Sequence, residues 1–165
     1  MFSEMHNLEY YSDKVERAVA AIAYPDSHYG LYAPVKYTLE GGGKRLRPVL
    51  LLAAAEAFGT DSDTVINQAL GIEMFHNFTL LHDDVMDNAD VRRGRPTVHR
   101  RWNSSAAILS GDAMLTMATQ LIALCPQEQL PAVLKLFNDT AMEIYEGQQD
   151  DMDFEDRYDV TVEEY

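Results

Sequence analysis

Cysteine, long apolar runs and a leader-like segment are scarce or missing in this sequence. Among its 165 residues the chain has one cysteine, Cys125, which excludes an internal disulfide and suits a reducing compartment. We interpret it as a buried, unreactive thiol. No apolar run approaches the roughly 20 residues that a membrane span needs, and residues 1–13 are polar and acidic, unlike a signal peptide. The sequence therefore predicts a soluble, cytoplasmic protein.

Positive charge is also scarce. The chain has 13 Lys and Arg against 27 Asp and Glu, for a formal net charge of -14. Such a surface excludes general affinity for nucleic acid or for acidic membranes. Eight of the 13 basic residues nevertheless fall in two short runs, at residues 44–47 and 92–101. Clustered basic residues in an acidic protein predict small bound anions.

Strands with clear apolar alternation, and internal repeats, are absent from the pattern. A length of 165 residues and an apolar content of 47% are enough for one domain with a core, which we place at residues 1–165. Apolar periodicity, Pro and Gly positions and capping residues predict an all-α fold. The expected helices cover residues 3–23, 28–40, 48–58, 63–87, 105–124 and 127–152, with Ser27, Asp61 or Ser62, and Asn103 or Ser104 as caps.

A further helix is expected to begin at Thr161, with Glu164 placed to complete a capping box. The sequence stops one turn later, at Tyr165. We therefore expect a helical bundle that has been cut short.

Three carboxylates, Asp83, Asp84 and Asp87, lie at the C-terminal end of the long predicted helix. On a 3.6-residue period Asp83 and Asp87 are one turn apart on one face, with Asp84 beside them. They repel one another and the helix dipole, so a cation should offset the cost. Oxygen-only ligands favour a hard divalent ion, magnesium before zinc. The alternative is a solvated helix end.

Arginines follow these carboxylates within a loop, residues 88–103, that is rich in Arg, Gly and Pro. Magnesium can bridge carboxylates to a phosphate group, and Arg92 and Arg93 would then offer planar forks to the phosphate oxygens. The alternative for Arg92, Arg93 and Arg95 is simple ion pairing with the aspartates. Arg100 and Arg101 are interpreted as solvated surface.

A second anion site is indicated by three glycines, residues 41–43, followed by Lys44 and Arg47. The segment is not a P-loop, because no strand precedes it and Arg45 occupies the Ser/Thr position. Backbone amides at a helix N-terminus together with two cations can still bind an anion; a plain connection with exposed basic residues is the alternative. His76 lies two turns before Asp83 and is either a diphosphate hydrogen-bond donor or a core residue.

Glu73 and His76 also have the Glu-x-x-His spacing of di-iron helix bundles. Such a site needs the motif twice and two further Glu. A second His at the right offset is missing, although Glu143 and Glu146 are available. Iron instead of magnesium in a metal analysis would favour this interpretation.

Four stretches resemble the trans-isoprenyl diphosphate synthases, or polyprenyl synthetases. They are GGGKRLRP (41–48), LLHDDVMDNADVRRGRPTVH (80–99), SGDAML (110–115) and EGQQDDMDFE (146–155). The resemblance runs from about residue 28 to the end, and the combination of GGKRxRP, DDxxD and RRG is highly specific.

The resemblance implies an all-α bundle of the isoprenoid synthase type, usually a homodimer, that condenses isopentenyl diphosphate with an allylic diphosphate and needs magnesium. The site roles that it implies differ between the two diphosphates. Asp83 and Asp87, supported by Asp84, would match the metal ligands; Arg92 would match the arginine that holds the allylic diphosphate; Lys44, Arg47, His76 and Arg93 would match the isopentenyl diphosphate site.

Product length in this family is set by bulk just before the first aspartate motif. Phe78 and Thr79 precede Asp83 by five and four residues, about 6 to 8 Å along a helix. A Phe here resembles enzymes with farnesyl or geranylgeranyl products, and the aspartates carry no two-residue insertion, which favours the geranylgeranyl pattern. The alternative is that Phe78 is ordinary core.

The chain departs from the family in length. Family members are about twice as long, and their second DDxxD motif, Lys-Thr pair and Phe-Gln pair have no counterpart here. The fragment alone is therefore expected to be weak or inactive as a prenyltransferase. The competing hypothesis is a non-catalytic helical module that binds diphosphates or stabilises another subunit.

Overall fold

The structure, a computed structural model, describes residues 6–155, 157–162 and 164. Within them the chain is helical apart from one small hairpin, which confirms the all-α prediction. The helices are α1 (Leu8–Ala20), α2 (Tyr29–Leu39), α3 (Leu46–Ala57), α4 (Ile66–Met86), α5 (Val98–Arg101), α6 (Ser104–Ile122) and α7 (Leu130–Glu155), and the hairpin strands are β1 (Val91–Arg92) and β2 (Arg95–Pro96). A 3-10 turn, Ser62–Val65, leads into α4.

Backbone packing divides the chain into two compact units, Met1–Cys125 and Pro126–Tyr165. Our placement of a single domain at residues 1–165 stays a prediction. In none of the described helices is a stretch both long and apolar enough to cross a bilayer.

Helix α4 is the centre of the first unit, because α1, α2, α3, α5 and α6 all pack against it. Its sequence is apolar on most of its circumference, as a helix surrounded by others must be. Two glycines allow close packing against α6: a Cβ on Gly71 would lie 2.8 Å from Ile122, and one on Gly111 would lie 2.2 Å from His82. A cluster of buried side chains joins α1, α3 and α4 through Tyr11, Val15, Val49, Leu52 and Ala69.

Side chains cap two of these helices as polar N-cap residues do. The Asn7 side chain accepts from the Tyr10 amide at 2.9 Å, and the Asn103 side chain accepts from the Ala106 amide at 2.8 Å. Asp61 caps the 3-10 turn in the same way, through the Asp63 amide at 2.9 Å. The prediction for Asn103 is therefore confirmed, whereas Asp61 caps the turn before α4, and α4 itself follows Val65 without a side-chain cap.

Other boundaries differ from the predictions. Helix α2 begins after His28, a residue in the left-handed region with φ of 61°, and not after a Ser27 cap. The loop at residues 88–103 contains both the β1–β2 hairpin and α5. Two-residue strands and a one-turn helix are too short to give a periodic pattern, so the sequence analysis missed them.

The second unit consists of α7 and the segment after it. Past α7, the Thr161 amide donates to the Glu164 carboxylate at 3.0 Å, and the Glu164 amide donates to the Thr161 hydroxyl at 3.3 Å. This reciprocal pair is the capping box that the sequence indicated. Residues 163 and 165, which belong to the expected helix, lie outside the described part.

Candidate functional site

The predicted carboxylates lie at the end of α4. The Asp87 amide donates to the Asp83 carbonyl at 2.8 Å, so the two residues are one helical turn apart. Asp84 is buried, Asp83 is half-buried and Asp87 is exposed. Burial, followed by repulsion from Asp87, raises the pKa of Asp83 despite the opposing charge of Arg92. The site therefore concentrates negative charge on one face of the helix.

Arg92, on β1, joins this cluster. Its Nε donates to Asp84 Oδ1 at 2.7 Å and its Nη2 donates to Asp83 Oδ2 at 3.0 Å. For Arg92 the structure thus shows the ion pairing that the sequence left open as an alternative. Arg93 instead donates to the Gly42 carbonyl, and the Arg95 guanidinium lies 4.0 Å from the centre of the Tyr37 ring.

The hairpin that carries these arginines is held by contacts on both sides of its turn. The turn needs positive φ at two successive residues, 52° at Arg93 and 74° at Gly94. On one side the Thr97 hydroxyl donates to the Ala89 carbonyl at 2.7 Å, and on the other the Tyr37 hydroxyl donates to the Pro96 carbonyl at 2.8 Å. Arg92 and Arg93 consequently project from a fixed turn between α2 and α4.

A cavity of about 500 Å³ lies beside the hairpin, and it is strongly basic. Its lining comes from the glycine loop, the start of α3, the middle of α4 and the hairpin turn: Gly41, Gly43, Lys44, Arg45, Leu46, Arg47, Glu73, His76 and Arg93. The four residues that the resemblance assigns to the isopentenyl diphosphate site therefore face one cavity. Lys44, Arg47 and Arg93 are exposed and His76 is half-buried, which leaves them accessible to a ligand.

His76 is neutral in this arrangement. Arg47 Nη1 lies 3.2 Å from His76 Nε2, and because a guanidinium only donates, Nε2 accepts and the ring proton is on Nδ1. Burial and the charge of Arg47 lower the pKa of His76. As a predicted hydrogen-bond donor, His76 would use Nδ1 or would first have to gain a proton.

Two buried residues of the cavity lining are paired with each other, which the sequence did not predict. Arg45 is 4% exposed and Glu73 is 3% exposed, and Arg45 Nη1 donates to Glu73 Oε1 at 2.8 Å. Asn77 Nδ2 donates to the same oxygen at 2.9 Å. The signal in the sequence was a Glu in a mostly apolar helix, because a buried carboxylate requires a partner. These bonds occupy the Glu73 carboxylate, which argues against the di-iron interpretation.

The carboxylates at the end of α4 are the candidate donor groups for a metal ion. Across residues 6–155, 157–162 and 164, no group of three or more His, Cys, Asp or Glu side chains is arranged to hold an ion. Asp83 and Asp87 still fit a hard cation by chemistry, since both offer only oxygen, and burial followed by repulsion from Asp87 raises the pKa of Asp83. Asp84 would have to share its carboxylate with Arg92.

The two residues predicted to set product length have ordinary structural contacts. Phe78 is buried, with its ring centre 5.6 Å from that of Phe75 and 4.7 Å from that of His82. The Thr79 hydroxyl donates to the His76 carbonyl at 2.8 Å. Their role in product length stays a prediction.

Comparison with known proteins shows which family the chain matches. The family model for polyprenyl synthetase matches residues 28–165. The chain is 44% identical over 137 residues to a geranylgeranyl diphosphate synthase of Methanosarcina mazei, covering 82% of this chain and 42% of that protein. It is 42% identical over 153 residues to a geranylfarnesyl diphosphate synthase of Natronomonas pharaonis, covering 82% of this chain and 45% of the relative.

A solved structure agrees with these relatives. A crystal structure of a geranylgeranyl pyrophosphate synthase superposes with a TM-score of 0.94 at 46% identity, covering 98% of this chain and 49% of the other. The chain thus spans less than half the length of these relatives.

Proposed function

This chain belongs to the polyprenyl synthetase family, and from that premise we propose that it serves the magnesium-dependent condensation of isopentenyl diphosphate with an allylic diphosphate. The observation that carries the proposal is the basic cavity. Lys44, Arg47, His76 and Arg93, brought from three separate parts of the chain, line one space of about 500 Å³. Fixed cations around a cavity are suited to a diphosphate, whose charge a net-acidic protein would otherwise repel.

The carboxylate cluster would serve the second substrate. Arg92, which pairs with Asp83 and Asp84 in the structure, would turn its guanidinium toward the diphosphate of the allylic substrate. Asp83 and Asp87, with Asp84, would hold the metal. A bound magnesium ion would supply Lewis-acid stabilisation to the departing diphosphate oxygens.

The reaction requires three bond changes. The allylic carbon–oxygen bond breaks and releases diphosphate, the double bond of isopentenyl diphosphate attacks the allylic cation to form a carbon–carbon bond, and the new cation loses a proton to the released diphosphate as the product double bond forms. Arg92 stabilises the leaving diphosphate electrostatically, while the basic cavity holds the nucleophilic substrate in place. Two separate diphosphate sites therefore meet the needs of one two-substrate reaction.

The product is proposed to be of farnesyl or geranylgeranyl length. Support comes from Phe78, whose bulk lies before the aspartates on α4, and from a relative named for a geranylgeranyl product. Replacing Phe78 with Ala in an active protein should lengthen the products, as read by chromatography of the dephosphorylated alcohols. Unchanged products would contradict this role.

Turnover by the 165-residue chain alone is proposed to be weak or absent, because its relatives are about twice as long. Robust turnover with magnesium would contradict this point.

We also propose a cytoplasmic homodimer; sedimentation equilibrium of the purified chain tests the dimer, and a monomer at all concentrations would exclude it.

Calorimetry tests the two diphosphate sites separately. Isopentenyl diphosphate should bind the wild-type chain, and Arg47→Gln should weaken that binding about tenfold or more, since a charge-assisted phosphate contact is lost. Lys36→Gln provides the control, because Lys36 is an exposed basic residue that pairs only weakly with Glu40 at 3.8 Å. Equal losses in both variants would overturn the assignment of the cavity.

The allylic site is tested with a non-hydrolysable allylic diphosphate, with and without magnesium. Binding should depend on magnesium, and Asp83→Asn should remove that dependence. The control is Asp26→Asn, which changes an exposed carboxylate before α2. Magnesium-independent binding, or a dependence that survives Asp83→Asn, would contradict the metal assignment.

A further inference from the structure

Arg45 lies between two exposed cavity residues, but its own side chain is buried. Lys44 and Arg47 are exposed, whereas Arg45 is 4% exposed. Its backbone is in the left-handed region, with φ of 47°, directly before the first residue of α3. An arginine takes up this conformation only where surrounding contacts impose it.

Three acceptors from three parts of the chain impose it. Arg45 Nε donates to Glu16 on α1 at 2.8 Å, Nη1 donates to Glu73 on α4 at 2.8 Å, and Nη2 donates to the Leu39 carbonyl at the end of α2 at 2.7 Å. Burial by itself would lower the pKa of Arg45, but the bonds to Glu16 and Glu73 raise it overall. The guanidinium is therefore a fixed cation that ties the loop to α1, α2 and α4.

The bond to Glu73 connects this anchor to the ligand side. Glu73 is one helical turn before His76, and Asn77 holds its carboxylate from the same helix. His76 in turn lies 3.2 Å from Arg47, two residues after Arg45. Arg45 thereby fixes the position of the loop that carries Lys44 and Arg47 relative to the face of α4 that carries His76. It also neutralises the Glu73 carboxylate, which would otherwise repel an anion in the cavity.

We propose that Arg45 is a positioning residue for the diphosphate in the basic cavity: it holds Lys44 and Arg47 opposite His76 and touches no ligand itself. The inference rests on the proposed function of that cavity. Mutating Arg45 alone cannot test it, because an unpaired buried Glu73 would destabilise the whole unit.

The test uses a double variant, Arg45→Met with Glu73→Gln, which removes the charge pair without leaving a buried charge. We expect the thermal stability of the double variant to recover toward the wild type relative to Arg45→Met. Its calorimetric affinity for isopentenyl diphosphate should stay about tenfold or more below the wild type, because Lys44 and Arg47 are no longer held opposite His76. Hydrogen exchange of the amides of residues 42–47 should also be faster in the double variant.

Lys14→Met is the matched control. Lys14, on α1, is also a buried cation. Its Nζ donates to the Ser62 hydroxyl at 2.6 Å and pairs with Asp63 at 2.7 Å, and it does not line the cavity. Its loss should lower stability while leaving affinity and the exchange of residues 42–47 unchanged. An equal loss of affinity in Lys14→Met would show that Arg45 acts through stability alone and would overturn the proposal.

The failure of the inference differs from the failure of the proposed function. If the wild type binds, Arg47→Gln does not, and the double variant binds like the wild type, the positioning role is wrong and the cavity assignment stands. If the wild type does not bind isopentenyl diphosphate, the cavity assignment is wrong and the positioning role fails with it. Unchanged exchange of residues 42–47 in the double variant overturns the positioning role whatever the ligand.

Discussion

Gly111 is the residue at which α6 passes the carboxylate end of α4. A Cβ at this position would lie 2.2 Å from Nε2 of His82, the neighbour of Asp83. The His82 ring is held there by the Ile108 carbonyl, 3.1 Å from Nε2, and by the Phe78 ring at 4.7 Å. The missing side chain of Gly111 therefore makes room for His82 at the contact between α4 and α6.

Gly111→Ala should destabilise the protein by about 1–3 kcal/mol, because the imidazole must leave its contacts to avoid overpacking. Urea unfolding measures the change. Gly147→Ala is the control, since nothing lies within 4 Å of a Cβ there and Ala favours a helix. Equal stability of the Gly111→Ala variant and the wild type would show that α6 can shift at no cost.

His76 gives the protein a pH dependence of known sign. Its pKa in the folded state is lowered from 6.5, so the unfolded chain binds the proton more tightly than the folded one. Stability should therefore fall as the pH drops below 6.5 and level off below the folded pKa. Thermal unfolding from pH 7.5 to 5 should show a smaller loss in His76→Gln, in which the amide oxygen can still accept from Arg47. Parallel curves for the two proteins would contradict the neutral imidazole.

At the scale of elements, Tyr37 attaches the hairpin and α5 to α2. Arg95 lies 4.0 Å and Arg101 lies 4.4 Å from the centre of its ring, and its hydroxyl donates to the Pro96 carbonyl. Contacts of this kind between a cation and an aromatic ring contribute fractions of a kcal/mol when exposed and more when desolvated. Several together fix an element as short as the hairpin.

Tyr37→Ala should lower the local opening free energy of the hairpin by about 1–2 kcal/mol, seen as faster exchange of the amides of residues 91–95 and 97. Tyr37→Phe, which keeps the ring, should show a smaller effect. Tyr29→Ala removes a tyrosine of the same helix that is 77% exposed and should change nothing in the hairpin. Equal effects of Tyr37→Ala and Tyr29→Ala would mean that other contacts hold the hairpin.

The elements also show what could be predicted from the sequence. Helices with caps and breakers were predicted within a few residues, and α4 ends at Met86 against the expected 87. The grouping of Lys44, Arg47, His76 and Arg93 came from resemblance and agrees with the shared cavity. The inward turn of Arg45 was not visible, because one basic residue in a basic run looks like its neighbours until the fold supplies Glu16 and Glu73. The role of Tyr37 could not be predicted either, because the residues that it contacts lie about 60 positions away in the sequence.

For the whole molecule, charge is unevenly distributed. The chain has a net charge of -14, yet one cavity is lined by four Lys and Arg residues against one Glu. Self-repulsion weakens the folded state of such a protein, while local positive charge binds anions. Salt screens both interactions, so added salt should raise the stability of the folded state and weaken the binding of anions.

Raising sodium chloride from about 0.05 to 0.5 M, where the screening length falls from more than 10 Å to a few ångströms, should therefore raise the unfolding temperature and weaken isopentenyl diphosphate binding. Calorimetry and thermal unfolding on the same samples measure the two trends. Arg47→Gln should reduce the salt dependence of binding and leave that of unfolding almost unaltered. Binding that is insensitive to salt would argue against a mainly electrostatic cavity.

The left-handed backbone of Arg93 has a consequence for laboratory evolution. This conformation costs a non-glycine residue about 1–2 kcal/mol, and the Arg93 side chain is exposed, so glycine or asparagine could replace it without leaving a hole in the core. A library screened for heat tolerance alone would accumulate such replacements at position 93. The selected variants would be more stable but would lack one cation of the basic cavity. Stability and anion affinity therefore favour different residues at position 93.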